Sequence, residues 1–313
     1  MSKSEHIAIV GAGLMGHGLA QVFASKGHEV RLTDVSEAVL AGAPEQIRNN
    51  LIRLANGGVG ALEDIDTILK NILTVKGLKE TVEGARFVVE AIAENLGLKQ
   101  QLFREMEDYC SPNTVLASNT SVISITEIAS KAKRKERIVG THFWNPPYLI
   151  PLVEVVPGNK TSSEVVDYTY ELLKTAGKHP VKVKRDVPGF VGNRLQHALW
   201  REAISIVEQG IADAATVDEV IKQGFGIRLP ILGPLETADM VGLDLTLQIH
   251  DYILQHIERS PEPSPLLREK VKKGELGFKT GKGFQKWSSE EIDRSRKNLV
   301  DYLIKWNREQ EKS

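Results

Sequence analysis

Ile7-Ala8-Ile9-Val10-Gly11-Ala12-Gly13-Leu14-Met15-Gly16 is the stretch from which the fold of this chain can be read. Four consecutive apolar residues without alternation predict a short strand buried on both faces. The strand runs straight into glycines spaced as G-x-G-x-x-G, and Leu14, Leu19, Val22 and Phe23 then recur with helical spacing up to Gly27. The three glycines have separate physical roles. Gly11 makes the tight turn, Gly13 lets a pyrophosphate come close, and Gly16 lets helix and strand pack. The first amides of the helix, at Leu14 and Met15, then face an anion with the positive end of the helix dipole. A second strand through Val30 and Leu32 closes on Asp34, 23 residues after Gly11. Asp34 is expected to accept hydrogen bonds from an adenosine ribose. No cation stands at Val35 or Ser36 to hold a 2′-phosphate, so NAD is expected as cofactor over NADP. The blander reading, a glycine-rich turn that binds nothing, sits poorly with this strand–turn–helix–strand context.

Strand and helix signals keep alternating downstream. Phe87–Ala91 reads as a strand, Leu96–Met106 as a helix, and Thr114–Ala117 as a strand again. Ser124-Ile125-Thr126-Glu127 and Thr161-Ser162-Ser163-Glu164 are capping boxes, the second opening a helix to about Ala176. Val181–Lys184 alternates and is expected at a sheet edge. The stretch from about 37 to 71 reads helix, Gly57-Gly58, helix, a projecting helical hairpin. Near Asp186-Val187-Pro188-Gly189-Phe190 the character changes, and from there to the end the pattern is helical with turn punctuation. The expected fold is therefore α/β: a Rossmann-type doubly wound sheet over residues 1–186, and a second, mostly helical C-terminal domain over 187–313.

The totals narrow the function. At 313 residues the chain exceeds what one core supports, which agrees with two domains. Forty basic against forty-one acidic residues, net charge -1, argue against nucleic-acid and membrane-surface partners. A single cysteine, Cys110, excludes an intrachain disulfide and a cysteine metal cluster, and fits a cytoplasmic protein without bound metal. The polar start, Met1 to His6, leads directly into a strand, so no signal peptide is expected, and four glycines interrupt the most apolar stretch, Ile7–Ala24.

Chemistry concentrates between Ser118 and Glu154. Ser118-Asn119-Thr120-Ser121 precedes Thr141-His142-Phe143-Trp144-Asn145-Pro146 and then Leu152-Val153-Glu154-Val155. The apolar runs beside them read as strands, so a hydroxyl, an imidazole, an amide and a carboxylate sit at strand ends of one sheet. Ligands bind at the carboxyl ends of strands in such sheets, and an imidazole braced by a carboxylate moves protons near neutral pH. A buried His–carboxylate pair is often structural, but His142 ahead of a proline-rich turn makes a poor core residue. Ser121 and Asn193 have a plain alternative as helix-capping residues.

Taken together, the glycine loop, Glu90-Ala91-Ile92-Ala93-Glu94-Asn95, Ala117–Ser121, His142–Pro146, Pro188-Gly189-Phe190 with Asn193-Arg194, Gly233-Pro234 and Gly281-Lys282-Gly283-Phe284 make the chain resemble the L-3-hydroxyacyl-CoA dehydrogenases from Ile7 to Trp287. The resemblance implies that His142 is the base removing the 3-hydroxyl proton and that Glu154 stabilises its imidazolium. It implies that Ser121 and Asn193 hydrogen-bond on the substrate side, and that Glu94, Lys99, Ser121 and Asn145 lie on the ribose and nicotinamide side of NAD. A homodimer active in fatty acid metabolism is implied as well.

Two departures keep the substrate open. Acyl-CoA members carry lysines around the hairpin tip, whereas here it reads Asn56-Gly57-Gly58-Val59-Gly60, with Arg48 and Arg53 upstream. Asn145–Pro151 and Gly226-Ile227-Arg228 look more like relatives that oxidise free hydroxy acids, such as gulonate or carnitine dehydrogenases. Arg228 would then be the carboxylate anchor. The substrate is thus a short-chain 3-hydroxyacyl-CoA or, alternatively, a free 3-hydroxy acid. A non-catalytic NAD-binding relative is a third reading, against which intact His142 and Glu154 count.

Overall fold

In the computed structural model, which describes residues 4–310, eight strands form one sheet. They are β1 (His6–Val10), β2 (Glu29–Thr33), β3 (Ile72–Thr74), β4 (Phe87–Glu90), β5 (Val115–Ser118), β6 (Ile138–Phe143), β7 (Leu152–Pro157) and β8 (His179–Lys182), in the order β3-β2-β1-β4-β5-β6-β7-β8. The first six run parallel; β7 is antiparallel to β6, and β8 is parallel to β7. The chain leaves β1 toward one edge and returns at β4 toward the other. The crevice of a doubly wound sheet therefore opens at the carboxyl ends of β1 and β4, where the glycine loop lies.

Burial on both faces explains the unbroken apolar strands. Ile7 and Ile9 join one core with Phe87, Val89, Val115 and Ala117, while Ala8 and Val10 join the other with Val88 and Leu116. The first face is covered by α1 (Leu14–Ala24), α2 (Glu37–Asn56), α3 (Ile65–Lys70) and α7 (Ser163–Thr175). The opposite face is covered by α4 (Leu78–Val82), α5 (Leu96–Tyr109) and the single turn α6 (Ile125–Ile128). The hairpin is present as α2, a 3₁₀ turn at Leu62–Asp64, and α3.

The remaining helices are α8 (Gly192–Glu208), α9 (Ala214–Gln223), α10 (Pro234–Val241), α11 (Leu243–Ile253), α12 (Pro265–Lys272) and α13 (Ser289–Gln310). Two compact units result: one is the chain up to Asn193 together with Asn298 onward, the other Arg194–Lys297. The second unit thus starts seven residues beyond 187, and the end of the chain belongs to the first. Among the described residues, α9 to α12 bury no side chain, and Ile231, Leu235, Leu243 and Leu247 are exposed. No described helix is long and apolar enough to cross a membrane. Residues 1–3, the first part of the polar start, lie outside the described residues.

Several local expectations shift. β8 runs from His179 to Lys182 rather than from Val181 to Lys184, and Pro180 is tolerated on an edge that needs no donor. The cap of α7 is Ser162, whose hydroxyl accepts from Val165 N, one residue beyond the Thr161 box. Thr161 instead donates its hydroxyl to the Ile138 carbonyl and accepts from Gly158 N. β3 carried no readable signal, since three residues on an edge are too few to show a period.

Candidate active site

The site is built on the loops that follow β1, β4, β5 and β6. Gly11 has φ of 104°, and a Cβ there would lie 2.6 Å from the Ala91 carbonyl oxygen at the end of β4. A Cβ on Gly16 would fall 1.7 Å from the Gly11 carbonyl oxygen, so helix and turn pack backbone to backbone. Gly13 has nothing within 4 Å of where its Cβ would be, and as N-cap of α1 it offers no side chain to the first-turn amides. An uncapped helix start beside open space fits a pyrophosphate. Asp34 Oδ2 accepts from Ala12 N at 2.7 Å and its Oδ1 from Ser36 N at 2.8 Å. The carboxylate is thereby oriented at the loop, with lone pairs left for ribose hydroxyls. Leu14 is exposed and Met15 half-buried. These features fit an NAD-type dinucleotide.

His142 and Glu154 face each other in the antiparallel β6–β7 register. His142 Nδ1 lies 2.7 Å from Glu154 Oε2, and the two side chains are only 4% and 2% exposed. The second oxygen, Oε1, accepts from Val191 N at 2.9 Å and Gly192 N at 3.1 Å. Burial pushes the carboxyl upward, but the imidazole and these two amides together outweigh it and hold Glu154 below the usual carboxylate range. Nδ1 is committed to the carboxylate, so Nε2 is the atom left to exchange a proton. The ring packs between Trp144 and Phe190, with centroids 5.1 and 5.8 Å away. Phe190 itself has φ of 50°, rare for a large side chain, within the turn that aims Val191 and Gly192 at Glu154. Gly192 has to be glycine: a Cβ would lie 2.5 Å from Trp144 Cζ2. Because β7 runs antiparallel, Glu154 sits near its amino end, and not at a carboxyl end as its motif first implied.

Ser121 is exposed, and its carbonyl accepts from Asn193 Nδ2 at 2.8 Å, so these two residues are brought together. Asn119 Oδ1 accepts from Phe143 N at 3.0 Å and ties the β5 loop to the end of β6. Asn145 is exposed on the following turn. Glu94 Oε1 accepts from Thr120 Oγ1 and from the amides of Ser121 and Val122. Burial raises its pKa, but the Thr120 hydroxyl, Lys99 and these donors prevail and lower it. Lys99 is 1% exposed and bridges Glu90 Oε1 at 2.6 Å and Glu94 Oε2 at 3.2 Å. Glu90 also accepts from Ser118 Oγ at 2.7 Å and Ile92 N at 2.8 Å. Glu90, Asn119, Thr120 and the Val191–Gly192 amides were not singled out from sequence. For Glu90 a signal existed, an acidic residue closing an otherwise apolar strand. Arg228 lies exposed in a 3₁₀ turn of the second unit, whereas His142 belongs to the first. Arg48 and Arg53 pair with Asp66 and Asp301.

Residues 6–187 match the family model for the NAD-binding domain of 3-hydroxyacyl-CoA dehydrogenase, and 189–287 match the model for its C-terminal domain. The probable 3-hydroxybutyryl-CoA dehydrogenase of Bacillus subtilis is 40% identical over 281 residues, covering 90% of this chain and 96% of that protein. Among solved structures, a 5-formyl-3-hydroxy-2-methylpyridine 4-carboxylic acid 5-dehydrogenase superposes with a TM-score of 0.89 at 30% identity, covering 99% of each chain. The (S)-3-hydroxybutyryl-CoA dehydrogenase of Ralstonia eutropha superposes with a TM-score of 0.76 at 35% identity, covering 92% of this chain and all of that one. With the glycine loop, Asp34 and the His142–Glu154 pair in one sheet, these likenesses show an NAD-dependent oxidoreductase, and the chain belongs to the 3-hydroxyacyl-CoA dehydrogenase family.

Proposed function

We propose that this chain oxidises the 3-hydroxyl group of a short-chain L-3-hydroxyacyl-CoA to the 3-ketoacyl-CoA. Bound NAD supplies the hydride acceptor. His142 Nε2 takes the hydroxyl proton as hydride leaves C3, and Glu154 stabilises the imidazolium that forms. Ser121 and Asn193 hold the substrate oxygen, while Glu94, Lys99 and Asn145 shape the nicotinamide side. One observation carries the reading: a buried 2.7 Å imidazole–carboxylate pair in the sheet that also bears the glycine loop. The names of the relatives from Bacillus subtilis and Ralstonia eutropha support the acyl-CoA class.

The helical unit is assigned to substrate binding and to a homodimer. Its exposed Ile231, Leu235, Leu243 and Leu247 are more apolar surface than a monomer usually leaves to water. A cytoplasmic location accords with the single cysteine. The test is NAD reduction with 3-hydroxybutyryl-CoA, free 3-hydroxybutyrate, carnitine and gulonate. Turnover of the thioester is expected. Activity confined to the free acids overturns the substrate, and silence on all four overturns the enzymatic reading.

A further inference from the structure

We propose that the C-terminal part of α13 is a strap that positions the β6–β7 loop, with Asn307 as its positioning residue. α13 starts at a reciprocal cap, Ser288 N donating to Glu291 Oε2 and Glu291 N to Ser288 Oγ. It lies beyond the family's C-terminal domain model, which ends at residue 287. The Ralstonia enzyme is matched over its whole length by 92% of this chain, whereas the pyridine-carboxylate dehydrogenase is matched by 99%. The helix therefore lies outside both matched domain models.

Its contacts fall on the end of α2 and on the β6–β7 loop. Ile304, 5% exposed, packs with Leu54 of α2 and Leu149 of the loop. Gly57, at the end of α2, is pressed against it so closely that a Cβ would lie 2.4 Å from Ile304 Cγ2. Asn307 Nδ2 donates to the Leu149 carbonyl at 2.8 Å. Asp301 pairs with Arg53 at 3.0 Å. The loop is held from other sides too: Lys178 Nζ donates to the Pro147 and Ile150 carbonyls, and Tyr148 donates to Asn50 Oδ1. The carbonyls of 147, 149 and 150 are thus all taken by side chains from outside the loop. That loop begins two residues after His142, carries Asn145, and leads into the strand bearing Glu154. Its conformation governs how β7 lies against β6, and hence how the pair meets the reacting carbon. Small misplacements of reacting groups cost up to about 100-fold in rate.

The activity readout rests on the proposed function, but the structural one does not. The variants are Asn307→Leu, Ile304→Asp and, as conservative control, Ile304→Val, all in the full chain. Amide exchange at Leu149 and Ile150, whose N–H groups donate to the Pro146 carbonyl, reports loop order directly. In Asn307→Leu, exchange there is expected to quicken by about 10-fold, the loss of one hydrogen bond. NAD affinity should stay within about twofold, kcat on 3-hydroxybutyryl-CoA should fall by about 10-fold, and Ile304→Val should match wild type. Wild-type exchange and kcat in Asn307→Leu overturn the strap. So does a loss of NAD affinity as large as the loss of kcat, which marks general loosening. Where no substrate is turned over, the proposed function fails while local exchange still decides the strap. Ile304→Asp tests the same docking through its apolar contact, and Asn307→Leu suffices where that variant does not fold.

Discussion

Glu154 uses one oxygen for His142 Nδ1 and the other for two backbone amides, at Val191 and Gly192. This division fixes what an amide at that position would do. In Glu154→Gln the carbonyl oxygen has to face the two N–H donors, which turns the NH₂ group toward Nδ1. His142 must then accept at Nδ1 and carry its proton on Nε2, the tautomer that is useless as a base. Turnover is expected to fall by about 10²–10⁴-fold, close to the loss in His142→Gln, with NAD affinity nearly unchanged in both. Steady-state kcat checks this, and a loss under about threefold in either variant refutes the assignment.

The same carboxylate gives a pH signature. Its folded pKa lies below the ordinary value of 4.5. A depressed carboxyl contributes stability that is fully present above the unfolded pKa and lost as pH falls through the folded one. The stability advantage of the parent over Glu154→Gln should therefore shrink below about pH 4.5. Urea denaturation of both proteins at pH 7 and pH 4 measures it; an equal gap at both pH values goes against an ionised Glu154.

Asp34 bears on cofactor choice. Ala12 N and Ser36 N hold its two oxygens, so the carboxylate cannot swing away from an incoming 2′-phosphate. Like-charge repulsion plus lost hydrogen bonds should disfavour NADP by about 2–4 kcal/mol, roughly 30- to 1000-fold in kcat/KM. Equal efficiency with the two cofactors would contradict this placement.

Lys178 is a partly buried cation whose pKa is lowered to about 8, first by desolvation and then by Lys26. Between about pH 8 and 10.4 the unfolded chain keeps a proton that the folded chain releases. Stability from this group therefore rises with pH across that window. Relative to Lys178→Met, the parent should gain in Tm from pH 7.5 to pH 10. A constant difference would mean that Lys178 is solvated when folded.

Lys99 stands between Glu90 and Glu94, with Glu90 wholly buried. Lys99→Met leaves the Glu90 charge with only Ser118 Oγ and Ile92 N for partners. Such a loss costs about 3–5 kcal/mol. Chemical denaturation measures it, and a cost under about 1 kcal/mol would contradict a stabilising Lys99–Glu90 bridge.

Much of this protein is determined locally. The β1–glycine loop–α1 segment, the strand ending at Asp34 and the unbroken apolar strands could be read directly. Burial on two faces and positive φ leave marks on neighbouring residues of one segment. His142 and Glu154 were legible as residue types in motifs, and as partners only through the family resemblance. Their 2.7 Å approach depends on β7 reversing direction against β6, a pairing across 12 residues that no periodicity records. The Val191 and Gly192 amides that complete the site carry no side-chain signature at all. Lys99 was expected on the ribose and nicotinamide side of NAD, yet its side chain is buried, a rare state for lysine that only folding makes possible by bringing Glu90 to neutralise it. The final stretch read as helical, and its place against Leu54 and Leu149 was settled by tertiary packing. Packing between distant segments is a property of the assembled surfaces, and no single stretch of sequence contains it.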